Sequence, residues 1–137
     1  MSFRQPPRAV IVDASVAISL LQGNANWVDR WSDWVESGAI VLAPAHFAAE
    51  VANALLRSLR LPAAEVGLHL DRLFRSGVEA VDRQLPGLLE AVALADQHRL
   101  TVYDALYLQL ALDVGGQLAT LDVDLARAAE VEDVELI

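Results

Sequence analysis

Four carboxylates stand at positions from which a folded chain could bring them together. Asp13 directly follows the apolar run Ala9-Val10-Ile11-Val12, and Asp122 directly follows Gln117-Leu118-Ala119-Thr120-Leu121. Asp104 falls in the first turn of a helix that begins near Thr101, and Glu50 lies early in the helix that follows Ala39-Ile40-Val41-Leu42. The chain contains no Lys; all ten of its basic residues are Arg. Four acids without a Lys make a poor anion site and a good site for a hard divalent cation. Mg²⁺ and Mn²⁺ prefer oxygen ligands and usually keep several waters. One or two such ions lower the pKa of a bound water and neutralise charge on a phosphodiester during in-line displacement.

Each acid also has a plainer reading. Asp13 and Asp122 suit helix N-caps, where Asp is favoured. Thr101-x-x-Asp104 resembles a capping box. These readings do not exclude chemistry, because a residue that starts a helix also sits at the rim of a sheet. Glu50 is harder to explain by structure alone. Its neighbours on helical spacing are His46, Phe47, Asn53 and Ala54. His46, Glu50 and Asn53 form a narrow polar stripe on an otherwise apolar helix. An unpaired carboxylate buried there would be costly, and a metal partner is the simpler account.

Hydroxyls near these acids are candidates to orient a carboxylate or a metal-bound water. Ser15 and Thr120 lie two residues from Asp13 and Asp122, and Thr101 lies three before Asp104. Asn53 on the Glu50 helix and Asp124 beside Asp122 complete the supporting set, although capping, packing or a solvated helix start explains each of them as well. His46 and His98 read as surface and helix-end residues, and Tyr103 and Tyr107 as core.

The elements that must position these residues alternate. Ala9–Val12 and Ala39–Leu42 read as strands buried on both faces, Gln117–Leu121 and Val134–Ile137 as further strands, and Val78–Asp82 as a weaker candidate. Helices are expected over Val16–Leu21, Trp27–Ser37, His46–Arg60, Pro62 to about Gly77, Leu85–His98, Thr101–Val114 and Asp122–Ala129, with Gly38 and Gly115 as stops. This alternation predicts an α/β fold: one domain over residues 1–137, a mainly parallel central sheet of about four or five strands flanked by helices, and a flexible arm at residues 1–7. In such sheets ligands bind beyond the carboxyl ends of the strands, where the acids are expected.

Composition narrows the function. At 137 residues a single core suffices. The absence of Cys excludes disulfides and thiolate metal sites, and the absence of Lys excludes Schiff-base and Walker-type phosphate chemistry. Hydrophobic residues make up 55% of the chain, which suggests that a partner covers some of them. No signal peptide or membrane-spanning run is legible, so a cytoplasmic location is expected. The net charge of −9 argues against nucleic-acid binding by charge alone. Arg57, Arg60, Arg72, Arg75 and Arg99 are candidates for a local phosphate-binding rim.

Four segments in order resemble the VapC-type toxins of the PIN-domain ribonucleases: Val12-Asp13-Ala14-Ser15, Pro44 followed by Glu50-Val51-Ala52-Asn53-Ala54-Leu55, Thr101 to Ala111, and Ala119 to Leu125. The resemblance implies Mg²⁺ or Mn²⁺ held by Asp13, Glu50, Asp104 and Asp122. It implies endonucleolytic RNA cleavage by a metal-activated water, a homodimer, and neutralisation by a cognate VapB-type antitoxin. An antitoxin helix is expected along the apolar stretches Phe47–Leu61 and Pro62–Phe74. A phosphate-transfer domain is disfavoured, because it would want a Lys and an Asp-x-Asp after the first strand. A non-catalytic PIN-like module that sequesters a partner or RNA is the alternative.

Overall fold

A computed structural model describes residues 8–137 of the chain; the expected arm at residues 1–7 lies outside the described residues. The chain runs β1 (Ala9–Val12), α1 (Ala14–Leu21), α2 (Ala25–Ser37), β2 (Ile40–Pro44), α3 (Phe47–Asn53), a π-helical turn (Ala54–Ser58) and α4 (Ala63–Arg75). It continues through β3 (Glu79–Val81), α5 (Gln84–His98), α6 (Val102–Val114), β4 (Gln117–Ala119) and α7 (Val123–Val131).

The four strands form one sheet in the order β3-β2-β1-β4, and every pairing is parallel. Helices cover the strands, so the central strand carries no polar face. Val10, Ile11 and Val12 are fully buried. Helix α6 packs against β1, β2 and β4, and α5 packs along α6. This explains why six α6 residues from Ala105 to Ala111 are buried and the helix is apolar nearly all round. The helices α1 to α4 pack on one another as a second group. Trp27, Trp31 and Trp34 form the buried stripe of α2 at helical spacing.

The topology places a crevice. From β1 the chain steps outward to β2 and β3, then returns to the other side of β1 as β4. The direction of winding reverses between β1 and β4, and the carboxyl ends there are where open α/β sheets bind ligands.

Several elements differ from the sequence reading. The helix expected over His46–Arg60 changes register after Asn53: the Leu59 N–H reaches the Ala54 carbonyl five residues back, at 3.0 Å. Arg60, at φ 53°, then ends it. Strand β4 stops at Ala119, because Thr120 leaves the ladder to bond side chains at the sheet rim. The terminal strand expected at Val134–Ile137 is reduced to a single parallel bridge between Leu118 and Leu136. Asp133, at φ 58°, turns the chain immediately before it.

Candidate active site

Asp13 is the centre of the rim. It is the N-cap of α1 and is only 5% exposed. Its Oδ1 accepts from the Ser15 hydroxyl at 2.5 Å and from the Val16 N–H at 3.0 Å. Its Oδ2 accepts from the Thr120 hydroxyl, across the crevice from β4. Thr120 Oγ1 in turn accepts from the Asp122 N–H at 3.0 Å, and Ser15 Oγ accepts from the Leu121 N–H at 3.0 Å. Two hydroxyls thus tie the start of α1 to the start of α7, where Asp122 caps the helix by accepting from the Leu125 N–H at 2.9 Å. Capping and site-building are the same act for both acids.

The other two acids come from the flanking helices. Thr101 caps α6 by accepting from the Asp104 N–H at 3.1 Å, which fixes Asp104 in the first turn. One turn later the buried Tyr107 donates its hydroxyl to Glu50 Oε1 at 3.2 Å, linking α6 to α3. The His46 Nε2 lies 2.6 Å from the same oxygen but off the N–H direction, so it approaches the charge without an aligned hydrogen bond.

The electrostatics record how close the acids stand. Burial raises the Asp13 carboxyl above its ordinary value; hydrogen bonds from Ser15, Thr120 and Val16 pull it back, and the Asp122 charge pushes it up again. Asp104 is raised by burial first and by Asp122 next; Thr101 opposes this and Glu50 adds to it. Tyr107 is driven far upward by burial and then by the Glu50 charge, so it stays a neutral donor. Among the described residues, no three His, Asp or Glu side chains are already closed around one point. The oxygens of Asp13 and Asp122 are turned into the helix starts, and Glu50 is turned toward Tyr107 and His46.

Residues 10–131 match the PIN domain family. Ribonuclease VapC3 of Mycobacterium tuberculosis is 41% identical over 128 residues, covering 90% of this chain and 89% of that protein. The chain belongs to the PIN-domain family, among the VapC ribonucleases. Solved PIN-domain structures share the fold. VapBC2 from Rickettsia felis, bound to a DNA fragment from its promoter, superposes with a TM-score of 0.72 at 14% identity, over 94% of this chain and 97% of that one. VapC20 of Mycobacterium tuberculosis, described as a sarcin-ricin loop cleaving toxin, gives 0.69 at 18% identity over 87% and 94%.

In this PIN domain the remaining candidates divide. Ser15, Thr120 and Thr101 touch the acids or their backbone as described. Asn53 is exposed one turn beyond Glu50. Asp124 stands away from the hydroxyl network: it is exposed and pairs with Arg127 at 3.3 Å. Of the Arg residues, Arg75 pairs with Asp71 on its own helix, and Arg72 lines a groove with Leu20, Trp31 and Leu73 that contains none of the four acids. His98 pairs with Glu132 at 3.2 Å, consistent with a helix-end role.

Two residues read as ordinary prove otherwise. Tyr103, expected in the core, is 64% exposed, with its ring centroid 5.8 Å from that of His46. Tyr107 is in the core, but its hydroxyl serves Glu50. The signal for Tyr107 was available: it lies three residues after Asp104, on the same helical face.

Proposed function

We propose that this PIN domain is a Mg²⁺- or Mn²⁺-dependent endoribonuclease acting as a toxin, held inactive by a VapB-type antitoxin. The observation that carries the reading is the gathering of acids at one rim of the sheet: Thr120 ties the Asp13 carboxylate to the Asp122 backbone, and α6 carries Asp104 one turn before the Tyr107 that bonds Glu50. Burial raises Asp13 and Asp104, and neighbouring acids add to the rise. Acids so arranged favour a cation among them. The donor set suits Mg²⁺ because that ion needs only one or two carboxylates and keeps its waters, so a preclosed cage is not required. The relatives' names point the same way: VapC3 is a ribonuclease, and VapC20 a toxin that cleaves the sarcin-ricin loop.

A bound divalent ion would supply charge neutralisation at the phosphodiester and a more acidic water. The chain's own residues supply position. Ser15, Val16 and Thr120 fix the Asp13 carboxylate in one orientation. Tyr107 fixes the Glu50 carboxylate as a neutral donor. Thr101 sets the helix turn from which Asp104 projects.

The antitoxin reading draws on an apolar groove on the α1–α4 side, lined by Leu21, Leu55, Leu59, Leu61 and His69. Leu56 and Leu68 are exposed on the same helices. A partner helix would cover these side chains. The homodimer reading draws on the exposed stripe Leu85, Leu89 and Val92 of α5. At a net charge of −9, binding to arbitrary RNA is expected to be weak, and selectivity must come from shape and local contacts.

The test is cleavage of a mixed RNA pool with Mg²⁺ or Mn²⁺ by wild type, Asp13→Asn and Asp104→Asn. Metal-dependent cutting that disappears in both folded variants supports the reading. Equal cutting by all three proteins identifies a contaminant, and no cutting by any transfers the weight to a sequestering module.

A further inference from the structure

Beside the acids lies a cavity of about 320 Å³ lined by Pro44, His46, Val81, Gln84, Leu88 and Leu106, among others. Pro44 ends β2 and Val81 ends β3, so the cavity opens at the same end of the sheet as Asp13. His46 is common to both: one side of its ring faces the cavity and its Nε2 approaches Glu50. The volume is at the lower end of the ~300–1,000 Å³ range of small-ligand pockets and suits a single heterocycle.

Two further features mark the cavity as more than a packing gap. Gln84 on its rim sits at φ 56°, a left-handed conformation that non-glycine residues seldom adopt. Asp82 Oδ1 holds it there by accepting the Gln84 N–H at 2.8 Å. The following turn leaves no room for a side chain at Gly87, where a Cβ would stand 2.3 Å from the Arg83 Cβ. Strain maintained by dedicated partners is a mark of functional positions. The walls also carry Gln109, a buried amide 3% exposed whose side-chain nitrogen donates to Glu90 at 2.9 Å. Asp82 and Arg83 also line its edge. A mainly apolar slot with amides and charged groups at its edges matches a nucleobase, which has apolar faces and a rim of donors and acceptors.

We infer that this cavity is a nucleobase subsite, taking one unstacked base of a single-stranded RNA whose backbone crosses the acidic crevice; the inference rests on the ribonuclease reading. Tyr103 and His46, with ring centroids 5.8 Å apart at the boundary, offer the aromatic surface over which a base enters. Leu88 and Leu106 contact its faces, and the Gln84 amide reads its edge. The subsite supplies the selectivity that an acidic protein cannot draw from phosphate contacts.

The test is metal-free fluorescence anisotropy on labelled eight-nucleotide single-stranded RNAs, with an abasic ribose placed at each position in turn. One position is expected to lose affinity on the order of tenfold when its base is removed. Leu88→Trp, at a half-exposed residue of the cavity wall, is expected to abolish that penalty by filling the slot. Gln84→Gly removes the side chain and relieves the left-handed backbone, so folding is not at risk, and it is expected to flatten the preference among the four bases there. Penalty and preference unchanged in both folded variants overturn the assignment. Binding is read apart from cutting: base-selective binding with no metal-dependent cleavage by wild type sinks the ribonuclease reading and leaves the subsite.

Discussion

The β1–β4 rim and the α5 flank solve opposite problems with opposite residues. At the rim two of the acids are enlisted twice. Asp13 and Asp122 cap helices, and the Asp13 carboxylate is tied through Thr120 to the Asp122 N–H and through Ser15 to the Leu121 N–H. On the flank, Leu85, Leu89 and Val92 stand in solvent, and the cavity under Leu88 is apolar with a strained rim at Gln84. The rim is polar yet tightly determined; the flank is apolar yet unfinished. Burial alone therefore does not locate function here. What distinguishes the rim is that removing a partner of Asp13 such as Thr120 leaves a buried carboxylate oxygen unsatisfied, whereas the flank awaits something to cover it.

The largest expected effect breaks the rim at its centre. Asp13→Asn and Asp104→Asn each keep the shape of the side chain and remove the charge. Metal-dependent RNA cleavage is expected to fall on the order of 10²–10³-fold in each, the cost of losing one preorganised electrostatic group. Single-turnover cutting rates check this, with circular dichroism confirming the fold. Retained activity in Asp104→Asn would move the chemistry away from α6 and dissolve the contrast between the two regions.

Next comes Thr120→Val, which is isosteric and removes the bridge between the two helix starts. Asp13 Oδ2 loses its donor and the Asp122 N–H loses its acceptor. A cost of about 1–3 kcal/mol in chemical denaturation is expected, because buried polar groups are left unpaired. Leu89→Gln, at a residue 60% exposed, is the matching change on the flank. Within a monomer its cost should be below about 0.5 kcal/mol. Similar losses in the two variants would erase the distinction.

The same distinction decides what the sequence could reveal. Asp13, Asp104 and Asp122 were legible because a polar residue directly after an apolar run, or in the first turn of a helix, has few other places to go. Glu50 was legible because its neighbours are apolar. The parallel sheet was legible in the β-branched runs of β1 and β2. Exposed apolar residues carry no such mark: Tyr103 reads as core, and nothing in the sequence marks Leu85 or Leu89 as exposed, since pattern alone does not say which apolar face lacks a neighbour. The π-helical turn after Asn53 and the left-handed Gln84 were equally hidden, because tertiary partners impose them and no local propensity announces them. The terminal strand failed for a local reason, the turn at Asp133.

Tyr107→Phe is expected to act more gently than Thr120→Val. It deletes only the hydroxyl that Glu50 accepts from, leaving the ring packed in the core. Stability should fall by about 1 kcal/mol. Cleavage should fall by about tenfold through misplacement of Glu50, in kcat more than in KM. An unchanged rate would mean that Glu50 is held by its helix alone.

The smallest effect has the opposite sign and sharpens the comparison most. Asp104 and Asp13 are held above the ordinary carboxyl value of 3.8 in the folded chain. Over the window from about that value up to their raised values, the folded protein binds protons that the unfolded chain has released. Metal-free stability contributed by these groups therefore falls as pH rises through the window, and acidification back through it restores that stability. Asp104→Asn removes one of the repelling charges without emptying the site. At neutral pH and without metal, the variant is expected to be more stable than wild type, by at most about 1 kcal/mol because solvent reaches Asp104 and screens it. Added Mg²⁺ should reverse the order, since it stabilises the folded state in proportion to its affinity for the intact set of acids. Thermal melts of both proteins with and without Mg²⁺, at pH 5 and pH 7, read all of this at once. If the two curves shift in parallel with pH and metal, Asp104 is not coupled to its neighbours. A crossing of the two orders would mean that the rim is electrostatically incomplete in the same sense that the α5 flank is sterically incomplete, each lacking the one component that its residues are shaped to receive.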